Sequence, residues 1–472
     1  MTIVLSILAA QLSCADAQAV TTLWSFTGSN DGFNVYAALI QGHDGYLYGT
    51  TEGTQPQGEI AQIAPPSSSG QSGTVFRITT TGDLTNLWSF SGGANGNHPY
   101  GKLVQGSDGS FYGTTSYGGY GYSGYGQTGY GIVFRITPGG NFTNLYAFTN
   151  GSDGSYPNGG LVEGADGNLY GTTYAGGTSD YGVVFRISPG GSLTNLWSFS
   201  GPDGRGTSAG LTRGNDGNFY GVSEFGGTSV IGSVFRITPN GNLTNLYTFT
   251  DSENYGSYPT GSLVLGRDGN FYGVTGGGGT SGYGTVFRIT PDGCLTNLWS
   301  FNGDDGRYPY AGLVQGSDGN FYGTTANGGD SFYGTLFRIN VCGELTNLWT
   351  FSGDDGADPN AELMQANDGS FYGTTSGGGA YNQGTVFKLS VPLSPPANQI
   401  SAAQITGSDV TILIPSVAGE TYQLQFSTSM SPTNWVNVPG ASITNCIGAL
   451  LTLTNFGGAS QPQGFYRFAI TP

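Results

Sequence analysis

GSDGNFYGTT, residues 316–325, is one of seven versions of the same decapeptide. The others begin at Gly42 (GHDGYLYGTT), Gly106 (GSDGSFYGTT), Gly164 (GADGNLYGTT), Gly214 (GNDGNFYGVS), Gly266 (GRDGNFYGVT) and Ala366 (ANDGSFYGTT). Asp-Gly between two apolar runs is a strong short hairpin signal, because both central residues of a type I′ turn need positive φ. The repeated aspartate is therefore read as part of a turn, and no catalytic role is needed to explain it.

The surrounding sequence sets the architecture. The phenylalanine of the VFR-like run recurs at Phe76, Phe134, Phe185, Phe235, Phe287, Phe337 and Phe387, with steps of 50 to 58 residues. A period of this length belongs to solenoids and propellers. Each unit reads as four short strands, GLVQG, NFYGTT, GTVFRI and LTNLWSF, joined by tight turns and without a helical pattern, which is a propeller blade. Adjacent Phe-Tyr and Leu-Trp pairs point to opposite faces of a strand, so both faces of each sheet need cover, and neighbouring blades supply it. Trp24, Trp88, Trp197, Trp299 and Trp349 share one repeat position, which Tyr146 and Tyr247 fill in the other two units. They are expected to pack blades together.

The chain opens inside a unit, at TTLWSF (21–26), and the last unit stops at GTVFKL (384–389) without a fourth strand. The first strand is therefore expected to complete the last blade. The fold class is all-β, a seven-bladed propeller of four-stranded blades over 20–391. Closing the ring removes an exposed sheet edge. Residues 392–399 form a Pro-rich linker, and 400–472 alternate as strands of a small β-sandwich.

Composition narrows the function classes. With 13 Lys and Arg against 30 Asp and Glu, the net charge of −17 repels phosphate backbones and argues against a nucleic-acid partner. Residues 3–10 are apolar and Ala17-Gln18-Ala19 is an A-x-A site, so 1–19 read as an export signal lacking the usual basic start. An ordinary apolar N-terminal strand is the alternative. No further stretch has the length of a membrane span. Cys14 leaves with the signal, and Cys294, Cys342 and Cys446 have no framework or zinc spacing. Cys294 and Cys342 occupy equivalent turns, where separate inert thiols are preferred over a bridge.

Candidate site residues come from what varies. Short turns of constant length occupy one end of the ring, whereas the second-to-third loops and inter-blade links, including the inserts 53–73 and 116–131, occupy the other. The second insert offers Tyr117, Tyr120, Tyr122, Tyr125 and Tyr130 among glycines, suited to sugar stacking or protein contact, with Asp153 and Asp304 as hydrogen-bond acceptors. Asp108 with Arg135, Asp166 with Arg186, Asp216 with Arg236, Asp268 with Arg288 and Asp318 with Arg338 are expected as structural ion pairs. No cofactor is expected; calcium is the alternative, through Asp304, Asp305, Asp354 and Asp355, although no loop has full DxDxDG spacing. His43 and His98 read as a solvated turn residue and a tolerated substitution. No Ser-His-Asp set, HExxH or Walker loop is present.

The run LVxGxDGxFYGTTxxGG…GTVFRITPxGxLTNLWSF resembles the tandem repeat of the bacterial choice-of-anchor GloVer proteins. This resemblance implies a secreted or surface-anchored bacterial protein without established enzymatic activity. GETYQLQFSTSMSPTNW…GFYRF is similar to the fibronectin-type-III-like module of secreted bacterial proteins. The expected function is a monomeric, non-catalytic binding or adhesion scaffold for a glycan or surface protein. A carbohydrate-active hydrolase or lyase on the same scaffold is the alternative.

Overall fold

A computed structural model describes residues 19–53, 72–121, 129–227, 231–250, 255–391 and the strand segments 402–406, 409–415, 421–427, 436–444, 450–455 and 465–471. The proposed signal up to residue 18, most of the first insert, Tyr122, Tyr125, Cys446 and the linker lie outside the described residues.

Seven antiparallel sheets follow one another along the chain. The first contains β2 (Ile40–Gln41), β3 (Leu47–Thr51), β4 (Thr74–Ile78) and β5 (Leu84–Ser89), hydrogen-bonded in that order. The fifth sheet gains an extra short strand, Ser257–Pro259, against Phe271–Gly277. The seventh is closed by β1 (Ala19–Ser25), which pairs with Thr385–Ser390 from Ala19↔Ser390 to Ser25↔Thr385. This is the seven-bladed propeller expected from the repeat, shut by its own N-terminal strand. The C-terminal segments form two three-stranded sheets whose buried residues include Ile412, Tyr422, Leu424 and Leu453.

Blade packing follows from the Phe-Tyr pair. The tyrosine of one blade stacks on the phenylalanine of the next, as in Tyr48 on Phe111 (4.0 Å), Tyr170 on Phe219 (4.1 Å), Tyr220 on Phe271 (3.9 Å) and Tyr272 on Phe321 (4.0 Å). All four tyrosines are at most 1% exposed, so the core is a set of inter-blade layers.

A bulge in the outermost strand recurs in every blade, for example between Val75 and Phe76 opposite Trp88 and Asn86. The bulge explains the turn glycines. A Cβ at Gly241, which has φ +88°, would stand 2.7 Å from the carbonyl oxygen of Leu196 in the preceding blade. Only glycine combines that backbone angle with that approach.

The half-buried tryptophans pack against the inter-blade clusters and also hold the links. Trp24, Trp197, Trp299 and Trp349 donate their indole N–H to Asp31, Asp203, Asp305 and Asp355 at 2.8 to 3.2 Å. Tyr146 does the same to Asp153 at 3.0 Å. The link after Trp88 has no aspartate at this position, and the Trp88 indole N–H is buried without a partner.

Candidate functional site

The Asp-Gly turns come first, because they are the repeated feature. In all seven units the aspartate carboxylate accepts from the tyrosine hydroxyl four residues on, at 2.6 to 3.0 Å. The arginine of VFR pairs in register with that tyrosine, as in Tyr112↔Arg135 and Tyr322↔Arg338. The hydroxyl therefore takes the carboxylate contact that the sequence assigned to the guanidinium. Asp108–Arg135, Asp166–Arg186, Asp216–Arg236, Asp268–Arg288 and Asp318–Arg338 are not direct ion pairs; only Lys388, in the seventh unit, reaches its aspartate, Asp368, at 2.9 Å. Burial pushes the Tyr112 hydroxyl up to about 12, helped by Asp108 and opposed by Arg135. These residues build the turn end.

At the opposite end, the inter-blade links descend to the axis. Each link passes through a left-handed residue: Asn34, His98, Tyr156, Tyr258, Tyr308 and Asp358 have φ between 52° and 58°, and Gly206 is the seventh, at 65°. Bulky side chains rarely adopt this conformation, and its repetition around one face is stored strain. Two residues further on, Tyr36, Tyr100, Asn158, Ser208, Thr260, Tyr310 and Asn360 ring the axial mouth, a cavity of about 80 Å³. Tyr36 and Tyr100 stack at 5.5 Å, and Tyr308 and Tyr310 at 6.0 Å.

Below the mouth the chain repeats small residues, Ala38, Gly160, Gly210, Ser262 and Gly312, except in two blades. There, Lys102 and Glu362 meet at 2.5 Å. Further down, β2 and its equivalents line a channel of about 730 Å³ with Ile40, Val104, Val162, Val264, Val314 and Met364. The ion pair stands between a polar, aromatic mouth and an aliphatic channel.

Further carboxylates stand behind the rim of the mouth, whose own charged lining residues are Lys102 and Glu362. Burial raises Glu224 above the ordinary glutamate range, and a hydrogen bond from the Ser208 hydroxyl at 3.2 Å opposes this. Burial likewise raises Asp358, opposed by Asn327. The Tyr100 hydroxyl lies well above its usual range, first through burial and then through the charges of Glu52 and Glu224. Both glutamates thus act on one ring. Glu52 itself is only 5% exposed.

The tyrosines singled out in the second insert separate into two roles. Tyr117 and Tyr130 are half-buried and support the link residues: Tyr117 meets His98 at 5.2 Å and Tyr156 at 5.5 Å, and Tyr130 meets Tyr156 at 6.4 Å. Tyr120 projects from the surface at 63% exposure. Asp153 is engaged by Tyr146, Thr149 and the Gly151 N–H, whereas the Asp304 side chain is exposed. Asp305 and Asp355 accept from indole and loop N–H groups, and the described residues contain no group of three or more His, Cys, Asp or Glu able to hold a metal. Cys294 is a free, exposed thiol and Cys342 is disulfide-bonded, so the two do not bridge each other and Cys342 is not a free thiol. Tyr36, Tyr100, Tyr310, Glu52 and Glu224 were not anticipated. Their signal was departure from the repeat at aligned positions.

A family model described as the Gloeobacter/Verrucomicrobia repeat matches residues 53–265, 120–315 and 267–422. The chain belongs to the Gloeobacter/Verrucomicrobia repeat family. No curated protein matches it. Among solved structures, this repeat protein is similar to a candidate 6-phosphogluconolactonase from Bacteroides uniformis, with 17% identity, 66% of this chain and 83% of that one covered, and a TM-score of 0.45. It is also similar to the extracellular domain of a candidate hybrid two-component system from B. thetaiotaomicron (11%, 96% and 57%, 0.49) and to a gluconolactonase from Xanthomonas campestris (13%, 72% and 100%, 0.40). At these identities and scores the likenesses carry no functional argument. In this member of the Gloeobacter/Verrucomicrobia repeat family, no helix among the described residues is long and apolar enough to cross a membrane.

Proposed function

We propose that the chain is an exported or cell-surface, non-catalytic propeller that binds glycan through the end carrying the links and second-to-third loops. One observation carries the reading. Among the described residues, all nine exposed large aromatic side chains of the propeller lie at this end: Tyr100, Tyr120, Tyr174, Tyr255, Tyr258, Tyr310, Phe332, Tyr333 and Tyr381. Exposed rings gathered on one face, around a mouth lined with Asn158, Ser208 and Asn360, suit sugar rings, which need apolar stacking and hydrogen bonds together. The repeat contributes rigidity, and the residues that break the repeat contribute recognition.

The test is binding of the full chain to a polysaccharide panel, compared with Tyr100→Ser/Tyr310→Ser. The double variant is expected to lose binding while staying folded, melting somewhat below the parent because the ring contacts with Tyr36 and Tyr308 are lost. Retained binding would move the site elsewhere.

The hydrolase reading has one specific observation in its favour. Glu224 is raised by burial, as a general acid requires, and shares Tyr100 with Glu52. Release of reducing ends by the parent but not by Glu224→Gln would replace the binding reading with this one.

A further inference from the structure

We propose that the loop face recognises a glycan carrying protonated amino groups, an aminosugar polymer whose cationic units sit on the face's aromatic rings and enter the axial mouth. This rests on the glycan-binding reading and adds the ligand's charge.

The first observation is the distribution of charge between the two ends. Among the described residues, the loop end carries thirteen acidic side chains against three basic ones, Lys102, Arg205 and Arg307. The turn end carries eleven acidic against nine basic. Nearly all of the propeller's net negative charge is therefore on the face that holds the exposed rings. A field of this sign attracts cations and repels uronate or sulfate polymers. A neutral sugar gains little from it.

The second observation concerns the face's own cations and rings. The face's own cations are already consumed internally, and two of them lie on rings. Lys102 is neutralised by Glu362. Arg205 lies over Tyr181 at 5.8 Å and Phe225 at 5.6 Å, and Arg307 over Tyr283 at 4.5 Å and Phe332 at 5.4 Å. The tyrosine position shared by these two links is also tyrosine in two other blades, at Tyr130 and Tyr333. At the mouth, the stacked Tyr36 and Tyr100 have no such arginine; the charged residues lining the cavity are the paired Lys102 and Glu362, and Glu224 stands behind the rim, accepting from Ser208 at 3.2 Å. An ammonium group on the exposed rings of this face meets ring faces within the field of the face's carboxylates, the combination that holds organic cations.

A basic peptide shares the charge but not the fit. The mouth is a small, open cavity rimmed by amide, hydroxyl and phenol groups, which matches a polyol carrying an amine.

The experiment compares a glucosamine oligomer with its N-acetylated counterpart of equal length, titrated into the full chain at low and high salt, with poly-lysine as a third probe. The amine form is expected to bind at least ~10-fold tighter than the acetylated form, the factor that one contact of this kind supplies, and to weaken as salt rises. Glu224→Gln should narrow that preference without lowering the melting point, and Tyr100→Leu should weaken the amine form if Glu224→Gln folds poorly. Equal binding of both oligomers would leave the glycan reading standing and overturn the cationic one. Binding of poly-lysine with neither oligomer would overturn the proposal in favour of a basic peptide. No binding by any sugar, here or in the polysaccharide panel, would overturn both.

Discussion

Replacing Tyr322 with Phe removes one oxygen and should weaken one blade measurably. The ring is 2% exposed and packs, tilted by 31°, against Phe371 at 4.1 Å, and Phe keeps that contact. What disappears is the hydroxyl's hydrogen bond to Asp318 Oδ2, at 2.9 Å. A hydrogen bond to a charged group contributes about 1.5–3 kcal/mol. Asp318 is half-exposed and keeps the backbone and side-chain N–H groups of Asn320, at 3.1 and 2.7 Å, so the expected cost is near the lower end, about 1.5 kcal/mol. Tyr322→Leu also removes the ring pair and should cost about 1 kcal/mol more, with lost burial added. The assay is urea denaturation followed by tryptophan fluorescence, with Asp318→Asn, Tyr322→Phe and the double variant forming a cycle. Coupling of about 1 kcal/mol is expected between Asp318 and Tyr322. A Tyr322→Phe midpoint equal to the parent's would refute the reasoning. So would coupling of Asp318 to Arg338 that exceeds its coupling to Tyr322, since the guanidinium would then be the true partner.

Deleting residues 19–25 removes the strand that pairs with Thr385–Ser390 and should leave the seventh blade with an open edge; the variant is expected to aggregate or melt well below the parent, and an unchanged melting curve would contradict closure. Acid should destabilise the propeller through Asp108, Asp166, Asp216 and Asp368. Burial raises them, but hydrogen bonds from neighbouring N–H and hydroxyl groups, and from Lys388 at Asp368, outweigh it and hold them below the ordinary range. Their contribution is complete above the unfolded aspartate value of about 4 and is lost as pH falls through the folded values. Glu224 and Asp358 act in the opposite sense, since their raised values mean that a folded-state cost is relieved on mild acidification. The melting point should therefore hold or rise slightly from neutral pH to about 5 and fall below about 4, and a steady decline starting at neutral pH would be inconsistent with these assignments. Limited proteolysis is expected to cut within 392–399 and, after reduction of the Cys342 disulfide, release two stable fragments, whereas a chain that resists cleavage there would be a single unit.

The architecture was legible because each repeat states the same thing seven times. The place of the Asp-Gly turns, Phe-Tyr alternation and the missing fourth strand of the last unit are local patterns, and β1 closes the ring as the strand count requires; the turns are not type I′, since the glycine, as Gly319 at 82°, has positive φ and the aspartate does not. The partner of the repeated aspartate was not legible. Spacing along the strands brings Arg288 toward Asp268, but the register puts Tyr272 opposite Arg288 and its hydroxyl reaches the carboxylate. The site was partly legible. Loop length identified the variable end, and the tyrosine-rich insert drew attention to Tyr117 and Tyr130, which support the link residues His98 and Tyr156. Tyr36, Tyr100 and Tyr310 each look like ordinary substitutions in their own repeat. Only the closed ring brings them to one mouth, with Glu224 behind its rim on Ser208.

The most direct test of the binding face is hydrogen exchange of the full chain with and without a saturating glucosamine oligomer. Protection is expected in the links around Tyr100, Ser208 and Tyr310 and in the loops bearing Glu52 and Glu224, with the turns at Asp166, Asp216 and Asp318 unchanged. Protection confined to those Asp-Gly turns, or to the C-terminal sheets, would contradict the account.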